Sequence, residues 1–277
     1  MPADHARVVG GRYALVRPIA KGGMAEVHEG FDTLLEREVA VKLMRDAAGD
    51  DASRERFRQE ARILAGLTHH PGIVCVLDAG FDEEHPFLVM DLVRGTTLAQ
   101  AREHGPIAPA LAVRLGREVA DALAYVHENG VIHRDVKPAN IVIDAVTGRI
   151  RLLDFGIATL RQQGSGHTSA GQLIGTAAYL APEQVREQRA TAESDIYALG
   201  LVLLELLHGE RTYDGSPIEA AMARLVEAPP IPDTLPDGMV RLLRRMTAMH
   251  PRNRPKALQV VAALSDPDVC EDPALAS

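Results

Sequence analysis

The stretch Val131 to Asp144, "VIHRDVKPANIVID", sets an acid, a lysine and an amide (Asp135, Lys137 and Asn140) close together. Farther on, "LLDFGIA" adds a second carboxylate, Asp154. A carboxylate can accept a proton, and carboxylate and amide oxygens are the hard ligands that Mg²⁺ prefers. The same residues in a surface turn would be no more than solvated charges. A second stretch, "IAKGGMAEVHEG" from Ile19 to Gly30, poses a similar choice. It reads either as a hairpin turn around Gly22 and Gly23 or as a loop that cradles phosphate. Set on the pattern G-x-G-x-x-G, its three places hold Ala20, Gly22 and Ala25.

The elements that must position these groups follow from periodicity. "YALVRPI", "AEVHEGF" and "REVAVKLM" read as three strands, the first two joined at Gly22–Gly23, and Lys42 lies near the end of the third. A charged helix is expected from Ser53, as N-cap, to a stop at Gly66, with Phe57, Ala61 and Leu64 on one face. It carries both Glu55 and Glu60. Two more strands, "GIVCVLDAGF" and "PFLVMDLV", flank the turn "DEEH". After Gly95 the pattern becomes helical. Leu111, Leu115, Val119, Leu123 and Val126 form an apolar stripe. Glu193–His208 is apolar nearly all round and is expected at the centre of a larger unit. Further helices are expected near Ile218–Glu227, Gly238–Met249 and Pro255–Leu264, followed by an acidic flexible tail.

The chain has 277 residues, 46% hydrophobic and 25% charged, enough for one large domain or two lobes with their own cores. A net charge of −8 argues against a nucleic-acid partner held through a basic surface. Two cysteines, Cys75 in an apolar run and Cys270 in the tail, have no metal-ligand spacing and point to a reducing compartment. Cys75 is expected to be a small buried hydrophobe. No secretory signal is expected at the N-terminus. The longest apolar run, Ile196–Leu207, is too short to span a bilayer.

Read in order, the glycine loop, "VAVK", Glu60, "HRDVKPAN", "DFG", "APE", "SDIYALG" and "RNRP" resemble a eukaryotic-like (Hanks-type) bacterial serine/threonine protein kinase catalytic domain of the Pkn group. The resemblance runs from about Gly11 to Leu264. It implies an α+β, two-lobed protein-kinase fold. Residues 1–10 would be a flexible N-terminus, 11–90 a small antiparallel N-lobe with one main helix, and 91–95 a hinge. Residues 96–265 would be a helical C-lobe with its activation segment at 154–183, and 266–277 the tail. ATP and Mg²⁺, with Mn²⁺ as the alternative, would bind between the lobes.

The resemblance also implies roles. Asp135 would be the catalytic base and Lys137 a contact to the transferred phosphate, with Asn140 and Asp154 as metal ligands. Lys42 would reach the α- and β-phosphates and pair with Glu60. Ala20, Gly22 and Gly23 would cover the phosphates, Ala20 in an extended conformation, because a left-handed alanine would cost about 1–2 kcal/mol. Modest ATP affinity is the expected consequence of that alanine. Val27, Ala40 and Val142 would enclose the adenine, Met90 would be the gatekeeper, and Asp91 and Val93 would offer backbone groups to the base. Because "AEVHEGF" continues as a strand and no G-x-x-x-x-G-K-[ST] occurs, Rossmann and Walker loops are excluded.

Lys137 and Thr176 match the serine/threonine class. Glu183 should pair with Arg254, and Asp195 should brace the catalytic loop. Arg134, preceding the base, implies control by phosphorylation of the activation loop, with Thr168 and Ser169 as the acceptors. Partners would be proteins bearing Ser or Thr, including a second copy phosphorylated in trans and paired through the small lobe. The expected location is the cytoplasm, alone or as part of a longer membrane-tethered protein. A pseudokinase scaffold would lack one of Lys42, Asp135, Asn140 and Asp154, all of which are present. A small-molecule phosphotransferase would lack the "GT" and "APE" segments.

Overall fold

The computed structural model describes residues 7–23, 25–46, 50–67, 69–155, 177–213 and 215–270. The chain divides into two compact units, one running to Arg94 and the other beginning at Gly95.

The first unit is an antiparallel sheet of six strands: β1 (Val8–Val9), β2 (Tyr13–Lys21), β3 (Ala25–Asp32), β4 (Arg37–Met44), β5 (Val76–Asp82) and β6 (His85–Asp91). Their spatial order is β1-β2-β3-β4-β6-β5. Val9, Tyr13, Val39, Val41, Phe87 and Val89 form its core. Strand β1 corrects the expectation of a flexible N-terminus through residue 10, since Val9 is fully buried. Two residues are too few to show alternation in a sequence. Residues 72–75 precede β5 instead of belonging to it, and Cys75 is half-buried. Asp32, at the end of β3, receives both Nε and Nη2 of Arg12 at 2.7 Å. Those bonds hold its carboxyl down to about 2 against the opposing effect of burial.

Helix α1 (Asp51–Ala65) buries Phe57, Ala61 and Leu64 as expected. Its cap differs: Asp50, in extended conformation, accepts the N–H of Ser53 at 2.7 Å, so Ser53 lies inside the first turn.

The second unit is mainly helical but opens with strands that the helical reading missed. β7 (Gly95–Thr97), β8 (Ile141–Asp144) and β9 (Ile150–Leu152) form a small antiparallel sheet. The unit's helices among the described residues are α2 (Leu98–Arg102), α3 (Pro109–Glu128), α4 (Pro182–Val185), α5 (Ala192–His208), α6 (Pro217–Val226), α7 (Asp237–Met246), α8 (Ala257–Ala263) and α9 (Pro267–Cys270). On α3 the stripe holds from Leu115 to Val126, but Leu111 in the first turn is exposed. α5 is buried on nearly every face, from Ser194 to Leu206. Gly116 of α3 lets this helix approach closely, because a Cβ there would lie 2.5 Å from Leu203. α9, with Val269 buried, corrects the expectation of a flexible tail from residue 266.

Candidate active site

In the second unit the loop between α3 and β8 carries the acid–lysine–amide cluster. Its main chain hangs from Asp195, in the first turn of the buried helix α5. One oxygen of Asp195 accepts the N–H of His133 at 2.8 Å and Nε2 of His127 at 2.8 Å, and the other accepts the N–H of Arg134 at 2.8 Å. Arg134 is thereby held at φ +69°, a conformation that costs a non-glycine residue about 1–3 kcal/mol. Asp195 thus braces the loop as the sequence led us to expect.

His133, which the sequence reading did not single out, is fully buried. Its Nε2 donates to the carbonyl of Leu153 at 2.8 Å, which leaves Nδ1 to accept the N–H of Asp135 at 3.3 Å. It therefore joins the residue before Asp154 to Asp135 itself. Its only signal in the sequence is its place beside Arg134 in "HRD". Burial pushes its pKa below the ordinary value, against the pull of Asp195 and Asp135. The sign is that of a base kept neutral in the fold. Stability is fully present above the unfolded histidine's pKa, and falls as pH drops from there toward the folded value. The thermal midpoint should decline more steeply below about pH 6.5 in the native chain than in a His133→Gln variant, as measured by differential scanning calorimetry. Equal slopes would refute this assignment.

Asp135 is held at one oxygen only. Its Oδ2 receives Nζ of Lys137 at 2.8 Å and Nδ2 of Asn140 at 2.9 Å. Its Oδ1 is buried and has no hydrogen-bond partner among the described residues. An acceptor left so is costly unless an incoming group uses it. Asn140 also donates to the carbonyl of Asp135 at 2.9 Å. With its N–H₂ group turned into the loop, the amide oxygen is what it can present to a cation. Asp154 stands at φ +50°. Leu153 ties it to the loop through an N–H···O bond to the carbonyl of Asn140, 2.8 Å. Val142 is buried in β8.

Glu183, in α4, and Arg254 form the expected ion pair, with Nη1 to Oε1 at 2.7 Å and Nη2 to Oε2 at 2.8 Å. Ser194 Oγ adds a bond to Oε1 at 2.6 Å, and the guanidinium lies 4.8 Å over the Tyr197 ring.

In the first unit Ala20 is paired with Val27 inside the β2–β3 ladder. The left-handed strain therefore does not arise, in keeping with the extended conformation expected there. The N–H of Gly22 bonds the carbonyl of Ala25 at 2.9 Å. Among the described residues a Cβ at Gly22 would meet only that carbonyl, at 3.5 Å, and one at Gly23 would meet nothing within 4 Å. Packing among the described residues demands neither glycine, and the missing Cβ atoms leave the main chain open to close approach.

Lys42 sits half-buried on β4, opposite Val27 of β3 and Leu88 of β6. On α1, Glu55 is exposed and occupied by Arg58 and Arg62 at 3.3 Å each, whereas Glu60 is half-buried. Ala40 and Met90 are buried cross-strand partners, and Val27 and Val93 are half-buried. The N–H of Asp91 is used by the carbonyl of Cys75 at 3.1 Å, so only its carbonyl can be offered to a base. Thr168, Ser169 and Thr176 lie outside the described residues.

The sequence pattern that defines the protein kinase domain matches residues 13–264, and the chain belongs to that family. It is 39% identical over 254 residues to the serine/threonine-protein kinase PrkC of Bacillus subtilis, covering 89% of this chain and 39% of that protein. It is 41% identical over 255 residues to the serine/threonine-protein kinase PknB of Mycobacterium tuberculosis, covering 88% and 40%. The chain thus spans about two fifths of the length of these curated relatives. Among solved structures it resembles the PknI kinase domain of Mycobacterium tuberculosis with a TM-score of 0.75 and 28% identity, over 95% of this chain and 99% of that one. The α+β kinase fold is therefore that of the chain.

Proposed function

We propose that the chain transfers the γ-phosphate of ATP to Ser and Thr hydroxyls of proteins, in signalling. The single observation that carries this is Asp135: one carboxylate oxygen fixed by Lys137 and Asn140, the other buried and unpartnered. That oxygen would accept the hydroxyl proton as the Oγ–P bond forms and the bond from the γ-phosphorus to the β–γ bridging oxygen breaks, leaving ADP. Lys137 would steady the transferred group. Lys42, oriented by Glu60, would hold the α- and β-phosphates under the main chain of Ala20, Gly22 and Gly23. Val27, Ala40, Met90, Asp91, Val93 and Val142 would receive the adenine.

Among the described residues no three His, Cys, Asp or Glu side chains converge as a metal cage. The fit is instead to Mg²⁺ or Mn²⁺ held by the Asn140 oxygen and the Asp154 carboxylate together with phosphate oxygens. Such an ion would neutralise charge on the triphosphate.

Regulation would run through Arg134 and phosphate placed on Thr168 or Ser169 by a second copy in trans, and Thr176 accords with the serine/threonine class. Pairing of copies through the small unit accords with the resemblance. No helix among the described residues is long and apolar enough to cross a membrane, and the cytoplasm is the proposed location.

The test is intact-mass and peptide mapping of phosphatase-treated protein after incubation with Mg²⁺-ATP. Phosphate should appear on Thr168 or Ser169. Absence of any incorporation while ATP is bound would reject the proposal.

A further inference from the structure

Arg224, on α6, is fully buried. Its Nη2 donates to the carbonyl of Ala178 at 2.6 Å and its Nη1 to the carbonyl of Leu180 at 3.4 Å. The guanidinium lies 5.0 Å over the ring of Tyr213, which is itself buried. Burial lowers the pKa of this arginine, a measure of what it costs to keep a cation there. The cost is offset by carbonyls that flank one residue, Tyr179, and by an aromatic face. Only the planar fork of arginine can reach both carbonyls at once.

Tyr179 is also held from the other side. Its hydroxyl donates to Glu205 of α5, a buried carboxylate that Arg102 of α2 neutralises. The turn Ala177–Tyr179 is thus fixed through its main chain by α6 and through its side chain by α5. Its position matters because Tyr179 and Leu180 wall a small cavity whose other lining includes Arg134, Asp135 and Val136.

We infer that Arg224 is a positioning residue for the protein substrate: by fixing the carbonyls of Ala178 and Leu180 it sets the wall against which a hydroxyl-bearing segment approaches Asp135. The inference rests on the proposed kinase activity. Arg224 touches neither ATP nor the reacting oxygen in this reading. Its loss should be felt in the handling of protein substrate, because displacement of the reacting partners by about 1 Å can cost up to about 10²-fold.

The experiment measures KM and kcat separately for ATP and for myelin basic protein, a basic Ser- and Thr-containing probe suited to a chain of net charge −8. Arg224→Met should raise KM for the protein about tenfold and leave KM for ATP within about twofold. Arg224→Lys, which keeps the charge and can serve one carbonyl, should fall between Met and the native chain. It also carries the test should the Met variant show no cooperative melting. The same KM for protein substrate in Lys and native chains, with Met folded and unchanged, would overturn the inference. So would a parallel rise of both KM values, which marks a merely structural residue. A native chain that phosphorylates neither itself nor the probe would instead overturn the kinase reading, and this inference with it.

Discussion

An Asp135→Asn chain is expected to fold normally, bind ATP and transfer phosphate about 10³-fold more slowly than the native chain, within the range that a positioned general base contributes. The geometry explains why fold and rate should separate. Lys137 and Asn140 both donate to Oδ2 of Asp135. An asparagine can turn its carbonyl oxygen to that place and keep both bonds. Its N–H₂ group then stands where the buried, unpartnered Oδ1 was, offering donors where a proton must be accepted. Single-turnover transfer of labelled phosphate, with the melting curve beside it, checks the claim. A rate within tenfold of native would mean that Asp135 is not the base.

The second large effect is on stability. Arg254→Ala should destabilise the second unit by about 3–5 kcal/mol, the usual cost of stripping one partner from a buried ion pair. That corresponds to a fall of about 6–20 °C in the melting midpoint. Arg254 is wholly buried at its side chain and Glu183 nearly so. Burial alone would raise the Glu183 pKa, but the bonds from Arg254 and Ser194 outweigh it and leave the carboxyl below its usual range. Its contribution is therefore present above the ordinary carboxylate pKa and is lost as pH falls through the lower folded value. With arginine gone the carboxylate keeps Ser194 and its own main-chain N–H but no cation, in a dry site. A Glu183→Gln/Arg254→Met double variant should recover much of the loss, because neither charge then stays buried without its opposite. A single variant melting within 2 °C of native would reject the ranking.

Much of the candidate site's geometry was legible because its residues sit within a few positions of one another. Asp135, Lys137 and Asn140 share one loop, and their bonds are local. Lys42 could be placed because β4 runs through the residues that the alternation marked, Arg37–Met44. What stayed hidden was either too short or too distant in sequence. β7, β8 and β9 hold three or four residues each, fewer than a periodic pattern needs. α2 has five residues and is announced only by the Thr97–Gln100 capping box. The contacts of His127 with Asp195 and of Arg224 with Ala178 join residues 68 and 46 positions apart, and no local pattern in either segment anticipates them. Asp50 lost to Ser53 as the expected cap because both are capping residues and the first turn of α1 has no large apolar residue to fix the register, only the exposed Ala52.

The grip of Asp195 on the loop that carries Asp135 is indifferent to spelling. It takes hold of main-chain N–H groups at positions 133 and 134, which every residue but proline supplies. The scaffold therefore secures where the loop lies without dictating which side chains it displays there. Chemistry at the tip can be revised one residue at a time while the mounting stays put. Inheritance of the fold and diversification of its activity are, at this point of the chain, separately adjustable.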